Sequence, residues 1–177
     1  MDYCAMYPSV TIRVYTSAMI LHVDLDAAYL IAPGAKSRIA GHYYLSNAAG
    51  TMKNPPLYVI YKILRHVVTS AAEAETAGTF CNAQELIYIR RLLWALGHSQ
   101  PPTILKTNNS TTASFVNKNM RMKKSKSWDM RYHWLHDPVL RKELIVIWAR
   151  DRKQSRLLYK NFRTYVSRTD ASNFVYS

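Results

Sequence analysis

Short apolar runs separated by turn-forming residues dominate the first third of the chain. Met19–Asp24 (MILHVD), Arg38–Ser46 (RIAGHYYLS) and Leu57–Leu64 (LYVIYKIL) are apolar or rich in β-formers, and Pro33, Gly34, Gly50, Pro55 and Pro56 punctuate the intervals. Runs of this length between turn formers predict three consecutive strands. The period then lengthens. Ser70 followed three residues later by Glu73 forms a capping box, and Leu86, Ile89, Leu93 and Leu96 hold a helical stripe. Gly97 suits a left-handed cap, and Pro101 with Pro102 forbids continuation, so a long helix is predicted to start after Ser70 and end near Leu96.

Beyond it, Thr103–Lys106 reads as a short strand, Thr111–Val116 as a brief helix and Ser127–His136 as a longer helix that Pro138 should end or kink. Leu144–Trp148 is a buried-strand candidate, and Arg152–Tyr165 reads as a basic final helix. The predicted order is therefore βββαβααβα. It implies an α/β layer fold in which helices cover a five-stranded mixed sheet.

Length and composition narrow the class. At 177 residues with 49% hydrophobic content, the chain has material for one core and little room for a second. Only Cys4 and Cys81 are present, far apart, so neither a disulfide framework nor a CxxC zinc site is available. No uninterrupted apolar stretch approaches the roughly 18 residues of a membrane span. Met1–Pro8 also lacks the basic and hydrophobic parts of a signal peptide, and a soluble intracellular protein with no membrane contact is expected. His22, His42, His66, His98 and His136 show no spacing suited to zinc or to a serine nucleophile.

Charge adds a partner. Lys and Arg outnumber Asp and Glu by 24 to 11, for a net charge of +13, and about 15 of the basic residues fall between Lys118 and Arg168. Interleaved with Trp128, Tyr132, Trp134, Trp148, Tyr159 and Phe162, this excess suits a polyanion that offers phosphates and stackable bases. Lys123, Lys124, Lys126, Arg131, Arg152, Lys153 and Arg156 are the candidate phosphate contacts. Trp128 is the candidate stacking residue, with core packing as its alternative role.

Four strings carry a family likeness: LHVDLDAAYL (Leu21–Leu30) with SRIAGHYYLS (Ser37–Ser46), LRHVVTSAAEAETAG (Leu64–Gly78), LGHSQPPTILKTNNSTT (Leu96–Thr112) and KSKSWDMRYHWLHD (Lys124–Asp137). Through them the chain resembles the RNase H domain at the C-terminal end of copia-type retrotransposon polyproteins, over roughly Asp2 to Lys153. The resemblance implies an RNase H-like fold in residues 19–150, preceded by an extension over 1–18 and followed by a basic helix or tail over 151–177.

The resemblance also implies a site. Asp26 matches the first catalytic carboxylate, the acid followed by a pair of small residues; Asp24 alternates onto the same strand face and is the weaker match. Glu75 matches the second, while Glu73 is spoken for by the capping box. At the third position the family spells TDNST, and here Thr107-Asn108-Asn109-Ser110-Thr111 puts an amide where an acid would stand. The fourth acid would fall in the stretch Lys153–Tyr159, which has none. Leu157 is the nearest match, and Asp151 just upstream is flanked by Arg150 and Arg152.

Chemistry of this type uses two divalent ions about 3.5–4 Å apart, held by several carboxylates. By resemblance the cofactor would be Mg²⁺ or Mn²⁺, held by Asp26 and Glu75, and cleavage is expected to be lost or badly weakened with the other two acids gone. The partners implied are RNA or RNA–DNA hybrid, with a reverse transcriptase domain or a ribonucleoprotein as a further associate. The alternatives are an active ribonuclease H that cuts the RNA strand of hybrids during reverse transcription, and a structural subunit of a ribonucleoprotein assembly.

Overall fold

The computed structural model describes residues 14–65, 67–117 and 126–149, with the backbone alone for 126–132. The order is β1 (Ile20–Ala32), β2 (Lys36–Ser46), β3 (Pro56–Ile63), α1 (Ala71–Ala95), β4 (Thr103–Thr107), α2 (Ser110–Val116), α3 (Lys126–Leu140) and β5 (Leu144–Trp148). The expected α/β fold with a five-stranded mixed sheet is what forms. The strands lie in the order β3-β2-β1-β4-β5. β1, β2 and β3 are an antiparallel meander, whereas β4 runs parallel to β1 and β5 parallel to β4. The predicted final helix over Arg152–Tyr165 lies outside the described residues.

β1 alternates strictly where it crosses the core. Leu21, Val23 and Leu25 are buried together with Tyr43, Ile60, Leu105, Leu144 and Val146 of the neighbouring strands. Ala83, Leu86 and Leu93 of α1, Phe115 and Val116 of α2 and Leu135 of α3 close over them, so these helices share one face of the sheet. A smaller cluster of Ile39, Leu64, Val68, Ala74 and Ala77 fixes the N-terminal end of α1.

The ends of α1 follow the sequence signals. Ser70 accepts from the Glu73 amide at 3.1 Å, but the Glu73 carboxylate reaches one residue further back than a standard capping box, to the Thr69 amide and hydroxyl at 2.7 and 2.8 Å. At the other end Gly97 takes φ +88, and the Gly97 and His98 amides donate to Trp94 and Leu93 in a Schellman arrangement.

Two expectations need correction. The first strand does not stop at Asp24. It continues to Ala32 because β2 pairs with it from Ser46 opposite Ile20 to Arg38 opposite Ala28, and that pairing satisfies the backbone through the two aspartates. Pro138, expected to end or kink α3, does not end it: the helix runs on to Leu140. Pro138 sits in the last turn, where its carbonyl accepts from the Glu143 amide at 2.9 Å, and Lys142 takes the left-handed position at φ 56. Pro138 has no N–H to give to the carbonyl one turn back, yet the helix continues two residues beyond it.

One close approach sets how α1 sits on the sheet. A Cβ on Gly41 of β2 would fall on the Asn82 side-chain oxygen of α1. Asn82 is fully buried, and its amide bonds the Ala40 and Gly78 carbonyls at 3.2 and 2.9 Å and the Tyr43 hydroxyl at 2.9 Å. Gly41→Ala is expected to displace Asn82 and strand these partners, costing about 2–3 kcal/mol and lowering the melting temperature by roughly 10 °C. Thermal denaturation followed by circular dichroism checks this; an unchanged midpoint would mean that α1 does not need the missing Cβ.

Candidate functional site

Parallel pairing creates the site. β1 and β4 are in register with His22 opposite Ile104 and Asp24 opposite Lys106. Two residues further on come Asp26 of β1 and Asn108, the residue that follows β4. The Asn108 side-chain nitrogen donates to Asp26 Oδ1 at 2.7 Å. Glu75, the fifth residue of α1, approaches the same strand from the helix side. Its Oε1 accepts from the Ala27 amide at a long 3.4 Å, and its Oε2 is buried with no hydrogen-bond partner. The three residues singled out from the sequence, Asp26, Glu75 and Asn108, are therefore brought together.

The electrostatics are those of a half-buried and a buried carboxylate only partly offset by hydrogen bonds. Burial pushes the Asp26 carboxyl above its ordinary range, with the Asn108 amide and the Ala27 amide pulling the other way. Glu75 is 5% exposed, and its carboxyl is pushed up to about 8, first by burial and then by the negative charge of Asp26; Ala27 and Thr107 offset part of this. At neutral pH the Glu75 carboxyl is mostly protonated.

The loop after β4 is built from its own residues. Asn109 is the N-cap of α2 and accepts from the Thr112 amide at 3.1 Å, so the second of the paired amides has a structural task. The Asn108 carbonyl accepts from the Trp148 indole nitrogen at 3.2 Å, and the Ala149 amide donates to the Thr107 carbonyl at 3.0 Å, which ties the end of β5 to this turn. Trp148 entered the sequence reading only as one aromatic among several. Its place at the site depends on strand order, which no local pattern reveals.

A second polar group lies alongside. Asp24 pairs with Lys53 at 2.6 Å and accepts from the Tyr44 hydroxyl at 3.2 Å, which in turn receives the Lys106 ammonium at 3.3 Å. His22 stacks on Tyr44 with ring centroids 5.8 Å apart, and burial lowers its pKa and that of His42. Asp24 is thereby engaged in an ion pair, consistent with its place as the weaker match. Lys53 and Lys106 are basic residues near the site that lie outside the charge-dense stretch between Lys118 and Arg168. The strand alternation of Lys106 with Asn108 was the available signal.

The other candidates do not enter this geometry. Lys123, Lys124, Arg152, Lys153, Arg156, Asp151 and Leu157 lie outside the described residues, as do the side chains of Lys126, Trp128 and Arg131 on α3.

A divalent ion of the kind the resemblance implies needs oxygen donors and negative charge. Here an amide points its N–H at Asp26 from the side where the resemblance would put a third carboxylate. Among the described residues no group of three or more His, Cys, Asp and Glu side chains is placed to hold a metal. This donor set does not fit a divalent ion.

No family model matches the chain, and no curated protein does. Solved structures do. The N-terminal RNase H domain of a Mycobacterium tuberculosis protein, solved as a fusion with maltose-binding protein, superposes with a TM-score of 0.58 at 9% identity, covering 86% of this chain and 99% of that one. LC11-RNase H1 in complex with RNA/DNA hybrid gives 0.55 at 11% identity, covering 77% and 89%. A foamy viral protease-reverse transcriptase in complex with dsDNA gives 0.53 at 13% identity, covering 85% and 94%. At these identities the likeness establishes the architecture: the chain has an RNase H-like fold.

Proposed function

We propose that this chain is a retroelement-derived RNase H-like domain, of the copia type, that binds RNA or RNA–DNA hybrid through a basic surface and has lost or nearly lost the power to cut it. The observation that carries this reading is the 2.7 Å hydrogen bond from the Asn108 amide to Asp26. A third carboxylate would demand a cation to relieve its repulsion with Asp26, whereas an amide satisfies Asp26 with its own hydrogens. The site can therefore persist as a neutralised remnant while a net charge of +13 still attracts phosphates. The foamy viral neighbour is a protease-reverse transcriptase in complex with dsDNA, and the LC11 neighbour is in complex with RNA/DNA hybrid. Both support nucleic acid as the partner, and a reverse transcriptase or ribonucleoprotein as the setting.

A second reading, an active ribonuclease H using Mg²⁺ or Mn²⁺, draws on the retained juxtaposition of Asp26 and Glu75. Cleavage of a labelled RNA–DNA hybrid in each ion, with binding recorded in parallel, separates the two. The expected outcome is binding without cleavage by the wild type and by Asp26→Asn, and a gain of Mg²⁺- or Mn²⁺-dependent thermal stabilisation in Asn108→Asp. Cleavage by the wild type that disappears in Asp26→Asn would establish the working nuclease instead.

The protonation of Glu75 gives an independent check. Its carboxyl is raised from 4.5 to about 8 in the folded protein. Between those values the folded state holds a proton that the unfolded state has released, so stability contributed by the neutral form is fully present below the unfolded pKa. It is lost as pH rises through the folded one. Urea unfolding of the wild type is expected to weaken from about pH 5 to pH 8 by up to about 1.4 kcal/mol per pH unit. Glu75→Gln should flatten most of that slope; equal slopes would show that the carboxylate is not confined as described.

A further inference from the structure

Trp148 is the last residue of β5 and pairs with Thr107, so it stands at the same end of the sheet as Asp26, Glu75 and Asn108. Its indole N–H is spent on the Asn108 carbonyl at 3.2 Å, and the following Ala149 amide is bonded to Thr107, so the ring is anchored to the turn that carries Asn108. Yet the residue is 49% exposed. A large ring, already satisfied in its one polar atom and still half in water, offers solvent chiefly its apolar π surface.

That surface selects by chemistry. In a chain with a net charge of +13, the polyanions drawn to the site are nucleic acids, and a fixed indole recognises them by stacking on a base. Bases inside a continuous duplex or hybrid are already stacked on one another and show only their edges. An unpaired base has a free face. We infer that Trp148 is a stacking platform for an unpaired nucleobase beside Asp26 and Asn108, so that the domain prefers single-stranded nucleic acid, or the single-stranded overhang of a hybrid, to a blunt hybrid. This rests on the nucleic-acid-binding reading above and adds the form of nucleic acid that the site takes. It involves no metal and no bond-breaking step, and it places the recognition element on β5.

The test uses the full chain as wild type, Trp148→Phe, Trp148→Leu and Trp148→Ala. Fluorescence anisotropy measures each against a single strand, a blunt RNA–DNA hybrid and the same hybrid with an overhang, and 2-aminopurine in the unpaired tract reports stacking. Loss of one stacked base weakens binding by roughly 5- to 150-fold. The expected result is such a loss for Trp148→Leu and Trp148→Ala on the single strand and the overhang, near-normal binding by Trp148→Phe, and blunt-hybrid affinity within about twofold of wild type. Quenching of 2-aminopurine by the wild type should disappear in Trp148→Leu, which keeps an apolar side chain at the position should the alanine variant fail to fold. Equal losses on all three ligands, with Phe no better than Leu, would reduce Trp148 to a support of the Asn108 turn and overturn the platform. Wild-type binding with unaltered affinity in every variant would overturn the platform alone. Absence of wild-type binding to any of the three would overturn the functional reading and the platform with it.

Discussion

The position of β1 at the centre of the sheet is the constraint on which everything else depends. It is bonded on one side to β2 in antiparallel register and on the other to β4 in parallel register, and one of its faces is buried through Leu21, Val23 and Leu25. A slip of one residue against either neighbour would turn those three side chains to the wrong face, so the register is held by the core. That register alone places Asn108 beside Asp26, across a sequence separation of 82 residues. The long helix α1, seated close by the absence of a Cβ at Gly41, then delivers Glu75 to the same place.

Having assembled two carboxylates in a partly dry pocket, the fold must deal with their charge. Desolvation raises both, the charge of Asp26 adds to it at Glu75, and three remedies exist: a cation, a proton or a hydrogen-bond donor. The described residues display the last two, with Glu75 shifted towards its protonated form and Asp26 receiving the Asn108 amide. The amide at position 108 thus relieves the charge of Asp26 from within the chain.

The polar layer beside the site shows the same economy. Asp24, two residues from Asp26 on the same strand face, is matched by Lys53 and the Tyr44 hydroxyl, while Lys106 approaches that hydroxyl from β4. Alternation along a strand puts both aspartates on one face, but different neighbours give them different fates: one is a surface ion pair, the other is confined against a buried glutamate.

Local chemistry determined much of this protein before any folding. The caps at Ser70 and Gly97, the stripe along α1, the strand periods and the turn residues act within a few positions of one another. The element order, the α/β class and the α1 boundaries were accordingly legible. So were Asp26, Glu75 and Asn108, because each sits in a string with a family spelling. Where local signals conflicted with pairing, they fell short: the apolar run suggested a strand ending at Asp24 that pairing with β2 carries on, and Pro138 suggested an end or a kink, whereas the helix runs on to Leu140 and closes with Schellman bonds at Glu143. Only the tertiary structure decided that Asn108 offers Asp26 its N–H, that Glu75 is dry enough to hold its proton, that Asp24 belongs to Lys53, and that Trp148 stands at the lip of the site. Each of these depends on the distance between elements far apart in sequence, and such distances are set by packing and strand order, which no local pattern encodes.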